Sequence, residues 1–236
     1  PLSFCHLRLK FMKLLFKLFF FLFLLFLSSL SHAESNNIKY KIITSGITIG
    51  ELSWDLSFTN DNYQFKIKLN SSGLASYLYN FNGFYLVRGK TINNDFVPSN
   101  YSQKWKTKNK KSNVEIVFKD KKVLSLKQTP LEKEYARINL LELTGYSDPL
   151  TSFLKLLGNK TESKTIDGRR VYQVSLNEAS KEDIKKTYII KNYKNIWADH
   201  KRNDLEKITI FSLKNSLVPE QIHIVFKSRL YKIIKI

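Results

Sequence analysis

From Ile38 onward the chain alternates between apolar and polar positions. Ile38, Tyr40, Ile42 and Thr44 interleave with Lys39, Lys41 and Ile43, a period of two that lays one row of side chains on each face of a strand. Leu52, Trp54, Leu56 and Phe58 then share one face while Ser53, Asp55 and Ser57 share the other. Asn60-Asp61-Asn62 has turn chemistry, and beyond it Tyr63, Phe65, Ile67 and Leu69 alternate with Gln64, Lys66 and Lys68. The two segments predict an antiparallel hairpin. Residues 83–92 return to strand character, and Val97-Pro98 opens another strand, since proline is tolerated at a first residue. In that strand Tyr101, Gln103 and Trp105 fall on one side; Lys104, Lys106, Lys108 and Lys110 fall on the other. Val114-x-Ile116-x-Phe118 and Val123 to Lys127 add a further pair.

The middle of the chain changes period. Ser147-Asp148-Pro149 places a capping residue before a proline at the first helical position, and Leu150, Phe153, Leu154 and Leu157 follow at i, i+3, i+4 and i+7. An amphipathic helix over Pro149 to Leu157, ended by Gly158, is predicted. Strand patterns resume at Arg170 to Leu176, Lys186 to Lys191, Ile208 to Leu213, Ile222 to Phe226 and Arg229 to Ile236. Val97-Pro98 and Val218-Pro219 carry apolar residues at matching offsets, which suggests one hairpin used twice. Roughly ten to twelve short strands must curl or close, because open sheets rarely stay flat beyond ~10 strands. The expected fold is mainly β: a large curved antiparallel sheet or incomplete β-barrel meander, with the short amphipathic helix against its concave face.

Ahead of this lies a different pattern. Lys13 and Lys17 lead into the unbroken apolar run Leu18 to Leu27, and Ser31-His32-Ala33 sets small residues at a cleavage position. That is the three-part form of a secretory signal peptide, and the run is shorter than the ~20 residues a spanning helix needs. Residues 1–11 read as a non-native upstream extension, 12–33 as a signal peptide cleaved after Ala33, and 34–236 as a single β domain in the periplasm. Membrane contact after cleavage is then peripheral at most. The sole cysteine, Cys5, lies ahead of the leader, so the domain is expected to rely on a hydrophobic core without a disulfide.

With 39 Lys and Arg against 20 Asp and Glu the formal net charge is +19. Such a balance prompts a nucleic-acid reading, which export argues against. Lipid phosphates, lipopolysaccharide and cell-wall carboxylates are the anions an exported protein meets, although a lysine-rich genome accounts for the excess first. Lys104, Lys106, Lys108 and Lys110 would stand ~7 Å apart along one face. They read first as a solvated face that discourages edge pairing, and second as an anion-facing surface. Trp54, Tyr77, Tyr79, Phe81, Phe84, Leu150, Phe153, Leu154 and Leu157 are candidates to line an apolar groove, against the plainer reading that they pack or cap the core.

No G-x-S-x-G elbow occurs, no cysteine follows the leader, and no metal-ligand spacing repeats. Of the two histidines beyond the leader, His200 follows Asp199 directly, so the two point apart on an extended chain, and His223 alternates within a strand. No catalytic residue, metal or cofactor is expected.

Gly46-Ile47-Thr48-Ile49-Gly50-Glu51, Val97-Pro98-x-x-Tyr101, Asp148-Pro149-Leu150 and Asp167-Gly168-Arg169-Arg170 together resemble the bacterial exported family called domain of unknown function 3108. The resemblance covers most of the chain after the leader, and its motifs are turns and caps. It implies no activity and no catalytic residues to carry over. In outline it is similar to the curved sheets of periplasmic lipoprotein and lipid carriers, an analogy of architecture. The expectation is a non-enzymatic exported protein that binds a lipid, lipoprotein tail, lipopolysaccharide or similar amphiphile in the concave face. The alternative is an envelope scaffold with a filled core that holds a protein partner.

Overall fold

Each alternating segment becomes a strand, and two-residue turns join several of them. The computed structural model describes residues 36–73, 76, 80–182, 184–197 and 204–236. The first half is β1 (Asn36–Thr44), β2 (Ile47–Thr59), β3 (Asn62–Ser71), β4 (Asn82–Ile92), β5 (Asp95–Lys106), β6 (Lys111–Lys119) and β7 (Lys122–Thr129). The second is β8 (Tyr146–Ser147), the helix α1 (Pro149–Leu157), β9 (Glu162–Ile166), β10 (Arg170–Ala179), β11 (Lys185–Asn195), β12 (Leu205–Phe211), β13 (Gln221–Phe226) and β14 (Arg229–Lys235). At Asn93-Asn94 and Asp120-Lys121 both residues have positive φ, the backbone that matches a tight turn to the twist of its strands.

Among the described residues the fourteen strands form one sheet in the order β7-β6-β5-β4-β3-β2-β1-β14-β13-β12-β11-β10-β9-β8. Neighbours are antiparallel except β8 and β9, which are parallel. Each half is a meander, and β1 joins the halves by pairing with β14, Ile42 standing opposite Ile233. The two edges, β7 and β8, are consecutive along the chain. Between them the 130–145 connection closes the barrel only in part. Leu143 accepts a hydrogen bond from the Val123 amide (3.2 Å), and the Gly145 amide donates to Lys121 (2.8 Å). Leu131 and Tyr135 of this connection are 83% and 97% exposed, whereas Leu143 nearer its end is buried in the core and Ile138 and Leu140 pack against it.

Contrary to the expectation, Val97-Pro98 does not open its strand, because β5 already begins at Asp95. Proline is accommodated there because the ladder shifts register between Arg88 and Gly89, opposite Pro98. Pro219 instead precedes β13, so the matched offsets do not mark one hairpin used twice. Gly89 sits in that irregularity, where an added Cβ would lie 2.3 Å from the Val97 carbonyl oxygen and 2.6 Å from the Tyr63 ring. A backbone oxygen cannot swing aside. Gly89→Ala is therefore expected to cost about 1–3 kcal/mol, and a denaturation midpoint matching the parent would show that the two strands do not meet this closely.

The count of fourteen exceeds the expected ten to twelve through β8 and β9. In β9 the buried positions include Ser163 and Thr165 rather than an apolar row. Both hydroxyls donate to Ser152 on α1, at 3.0 and 2.8 Å, which satisfies them in the interior.

The helix occupies its predicted span. Asp148 caps it, accepting from the Leu150 and Thr151 amides at 3.0 Å each, and Pro149 fills the first position. At the other end the Gly158 amide donates to Leu154, and Asn159 takes the left-handed backbone. Contacts reach α1 from across the barrel. Thr151 shares a 2.7 Å hydrogen bond with Tyr63 on β3, Tyr188 on β11 donates to the Leu156 carbonyl, and Lys155 lies 3.8 Å from the carboxylate of Asp95, the first residue of β5. The helix is thus an internal stopper seated at the end of the barrel where β2 turns into β3.

Candidate functional site

The interior has two unlike ends. Around α1 it is closed: Trp54, Phe65, Leu154, Leu157, Ile166 and Tyr188 are all buried. The Trp54 ring stands 4.3 Å from Phe65, 5.8 Å from Phe153 and 6.1 Å from Tyr40, centroid to centroid. Trp54, Leu150, Phe153, Leu154 and Leu157, five of the expected groove residues, therefore meet in one place and pack against the stopper and each other.

At the N-terminal end of α1 lies a buried carboxyl group. Asp148 Oδ1 serves the helix cap, while Oδ2 has no hydrogen-bond partner among the described residues. Burial pushes its pKa up to about 6, against the pull of the hydrogen bonds from residues 150 and 151. The phenols of Tyr63, Tyr101 and Tyr172 sense its charge and are themselves pushed up, chiefly by burial. Asp167 is also raised by burial, though Arg170 lies 3.6 Å away and pulls it down. Among the described residues no three His, Cys, Asp or Glu side chains stand close enough to hold a metal ion.

Toward the opposite end the same inward rows continue with looser cover. Ile67 and Leu69 extend the Tyr63–Phe65 row, Tyr85 precedes Val87, and Trp105 follows Tyr101 by two alternations. These, with Leu126 and Tyr231, are only partly buried, whereas their counterparts around the helix are fully so. Phe81 stacks on Trp105 at 6.4 Å. The unstoppered end is thus lined by apolar and aromatic side chains that retain accessible surface.

A second feature lies outside the barrel at that end. The register sets Lys68, Phe84, Lys104, Asn113 and Thr129 directly opposite one another across five strands. One step nearer the rim stand Asn70, Asn82, Lys106 and Lys111. These residues bound a concavity of about 580 Å³ with Gly83, Trp105 and Ser112 at its margin. Four lysines line it and no carboxylate does. Phe84 therefore faces outward, away from the groove residues it was grouped with, because it alternates with the inward Gly83 and Tyr85. Lys108 and Lys110 are not part of the strand row. The alternation stops at Lys106, and both belong to the turn in which the Thr107 amide donates to Lys110.

Tyr77, Tyr79 and His200 lie outside the described residues. Sequence reasoning did not single out Lys68 or the buried tyrosines. Lys68 was recoverable, since pairing the β3 and β4 patterns places it opposite Phe84. The hydroxyl set of Thr151, Ser152, Ser163 and Thr165 carried no signal, because inward polar residues look like solvent-facing ones until the helix is seen inside.

Comparison with known proteins agrees with this architecture. A family model described as a protein of unknown function, DUF3108, matches residues 36–204. Among solved structures, a beta-barrel-like protein of domain of unknown function DUF1849 from Brucella abortus is similar with a TM-score of 0.50 at 10% identity. The match covers 86% of this chain and 95% of that one, and at such identity it concerns the fold alone. No curated protein sequence matches.

Proposed function

Because the chain belongs to the family described as proteins of unknown function, DUF3108, we propose its role from its own geometry: an exported, non-enzymatic envelope protein that binds an amphiphile. The observation that carries this reading is the half-filled interior. The stopper closes one end, while Ile67, Leu69, Tyr85, Trp105, Leu126 and Tyr231 keep apolar surface in reach at the other. Covering such surface with an acyl chain is favourable by ~25 cal/mol per Å². The leader over residues 12–33 supports export, where such ligands are met.

Native mass spectrometry of the protein recovered from its own envelope tests the reading. A co-purifying lipid mass, displaced by cis-parinaric acid and weakened by Trp105→Glu, is expected. A ligand-free protein that fails to bind parinarate would overturn it. If that protein also carried a stoichiometric polypeptide, the scaffold reading would gain, which the packing of Trp54, Leu150, Leu154 and Leu157 around the stopper favours.

A further inference from the structure

We propose that the outer concavity around Phe84 is a headgroup site for anionic phospholipid, and that it docks the unstoppered end of the barrel on a membrane surface. This adds a second site to the amphiphile reading and rests on it only for the setting; nothing in the concavity depends on the interior holding a chain.

Charge is the first argument. Lys68, Lys104, Lys106 and Lys111 converge on one hollow, and none forms an ion pair with a described residue. Elsewhere on the same face lysine does find a partner: Lys66 bridges to Asp55. The nearest carboxylates in register do not neutralise the four. Glu51 is one strand beyond Asn70, and Glu115 is held by the Asn113 side-chain amide at 3.1 Å. Four like charges set beside each other without counterions repel, and a phosphate relieves that repulsion.

Shape and position are the second. A volume of about 580 Å³ admits a phosphorylated headgroup. Phe84, directly between Lys68 and Lys104, gives its floor an apolar ring that can meet the glycerol and upper acyl region. Asn70, Asn82, Asn113, Ser112 and Thr129 supply neutral hydrogen-bonding groups around it. The hollow opens at the same end as the accessible interior rows, and the β5–β6 turn adds Lys108 and Lys110 at the rim. A lysine near an anionic leaflet is worth about fivefold in affinity.

Sedimentation of the full chain, recovered from the periplasm, with vesicles of phosphatidylcholine alone or with ~30% phosphatidylglycerol tests this. Binding to the anionic vesicles only is expected. Lys104→Gln/Lys106→Gln should weaken it by on the order of thirtyfold, Lys104→Arg/Lys106→Arg should retain it, and Phe84→Ser should weaken it at constant charge. The pair Lys181→Gln/Lys214→Gln, in turns at the stoppered end, should leave it near the parent value. Equal loss in that control pair would mean net charge alone acts and would overturn the site. So would equal binding to both vesicles, or full competition by soluble glycerol phosphate, which would assign the hollow to a free phosphate. Parinarate binding is measured without vesicles, so the two readings fail separately.

Discussion

Replacing Trp54 with alanine is expected to lower the unfolding free energy by about 3–5 kcal/mol, the range for truncating a large aromatic in a packed core. The ring is 1% exposed and touches β1, β3 and the stopper helix through Tyr40, Phe65 and Phe153, so its loss opens a void that no single element can fill. Its indole N–H has no hydrogen-bond partner among the described residues. Trp54→Phe removes that unsatisfied donor together with part of the ring and should cost far less. Urea denaturation of the three proteins decides. A loss below about 1 kcal/mol for alanine would place the ring on the wall of an open groove, and the stopper would not be seated as described.

The second large effect concerns pH. A carboxyl whose folded pKa is near 6, against an ordinary value of 3.8, keeps its proton in the native state over a range where the unfolded chain has released it. Stability from Asp148 is therefore greatest below pH 4 and falls as pH rises toward 6, by on the order of 3 kcal/mol. Asp167, also raised by burial, adds a slope of the same sign. His223, lowered by burial and by Lys232 and Lys185, adds one of opposite sign. Comparing Asp148→Asn with the parent at each pH cancels both. Asparagine keeps a cap acceptor for the Leu150 and Thr151 amides, so the variant should match the parent near pH 4 and exceed it at pH 7. Parallel curves across pH 4–7 would show that Asp148 is not buried at the helix cap.

Much of this fold was legible because its strands are half-buried. Where one face meets the core and the other meets water, as at Leu52 to Phe58 or Tyr63 to Leu69, alternation announces the strand and its facing. The helix was legible from its cap and its i, i+3, i+4, i+7 stripe, which a two-residue period cannot imitate. What alternation cannot convey is which inward residues remain in reach. Phe65 and Ile67 look alike in the alternation of β3, yet one is fully buried and the other only partly. Phe84 shows the complementary failure. Grouped with neighbouring aromatics by proximity along the chain, it points the other way, because successive strand residues face opposite sides. Its true companions, Lys68 and Lys104, come from other strands and are visible only through register.

The adjoining sheet edges have one more consequence. The strands flanking the 130–145 stretch are the two that barely touch, whereas β1 and β14, from opposite reaches of the described sequence, are stitched along a full ladder. Severing the backbone at Leu131 or Tyr135 would break no rung, and the two arms would stay zipped together. The architecture is therefore one that two separate polypeptides could share, each supplying seven strands and one of them the plug.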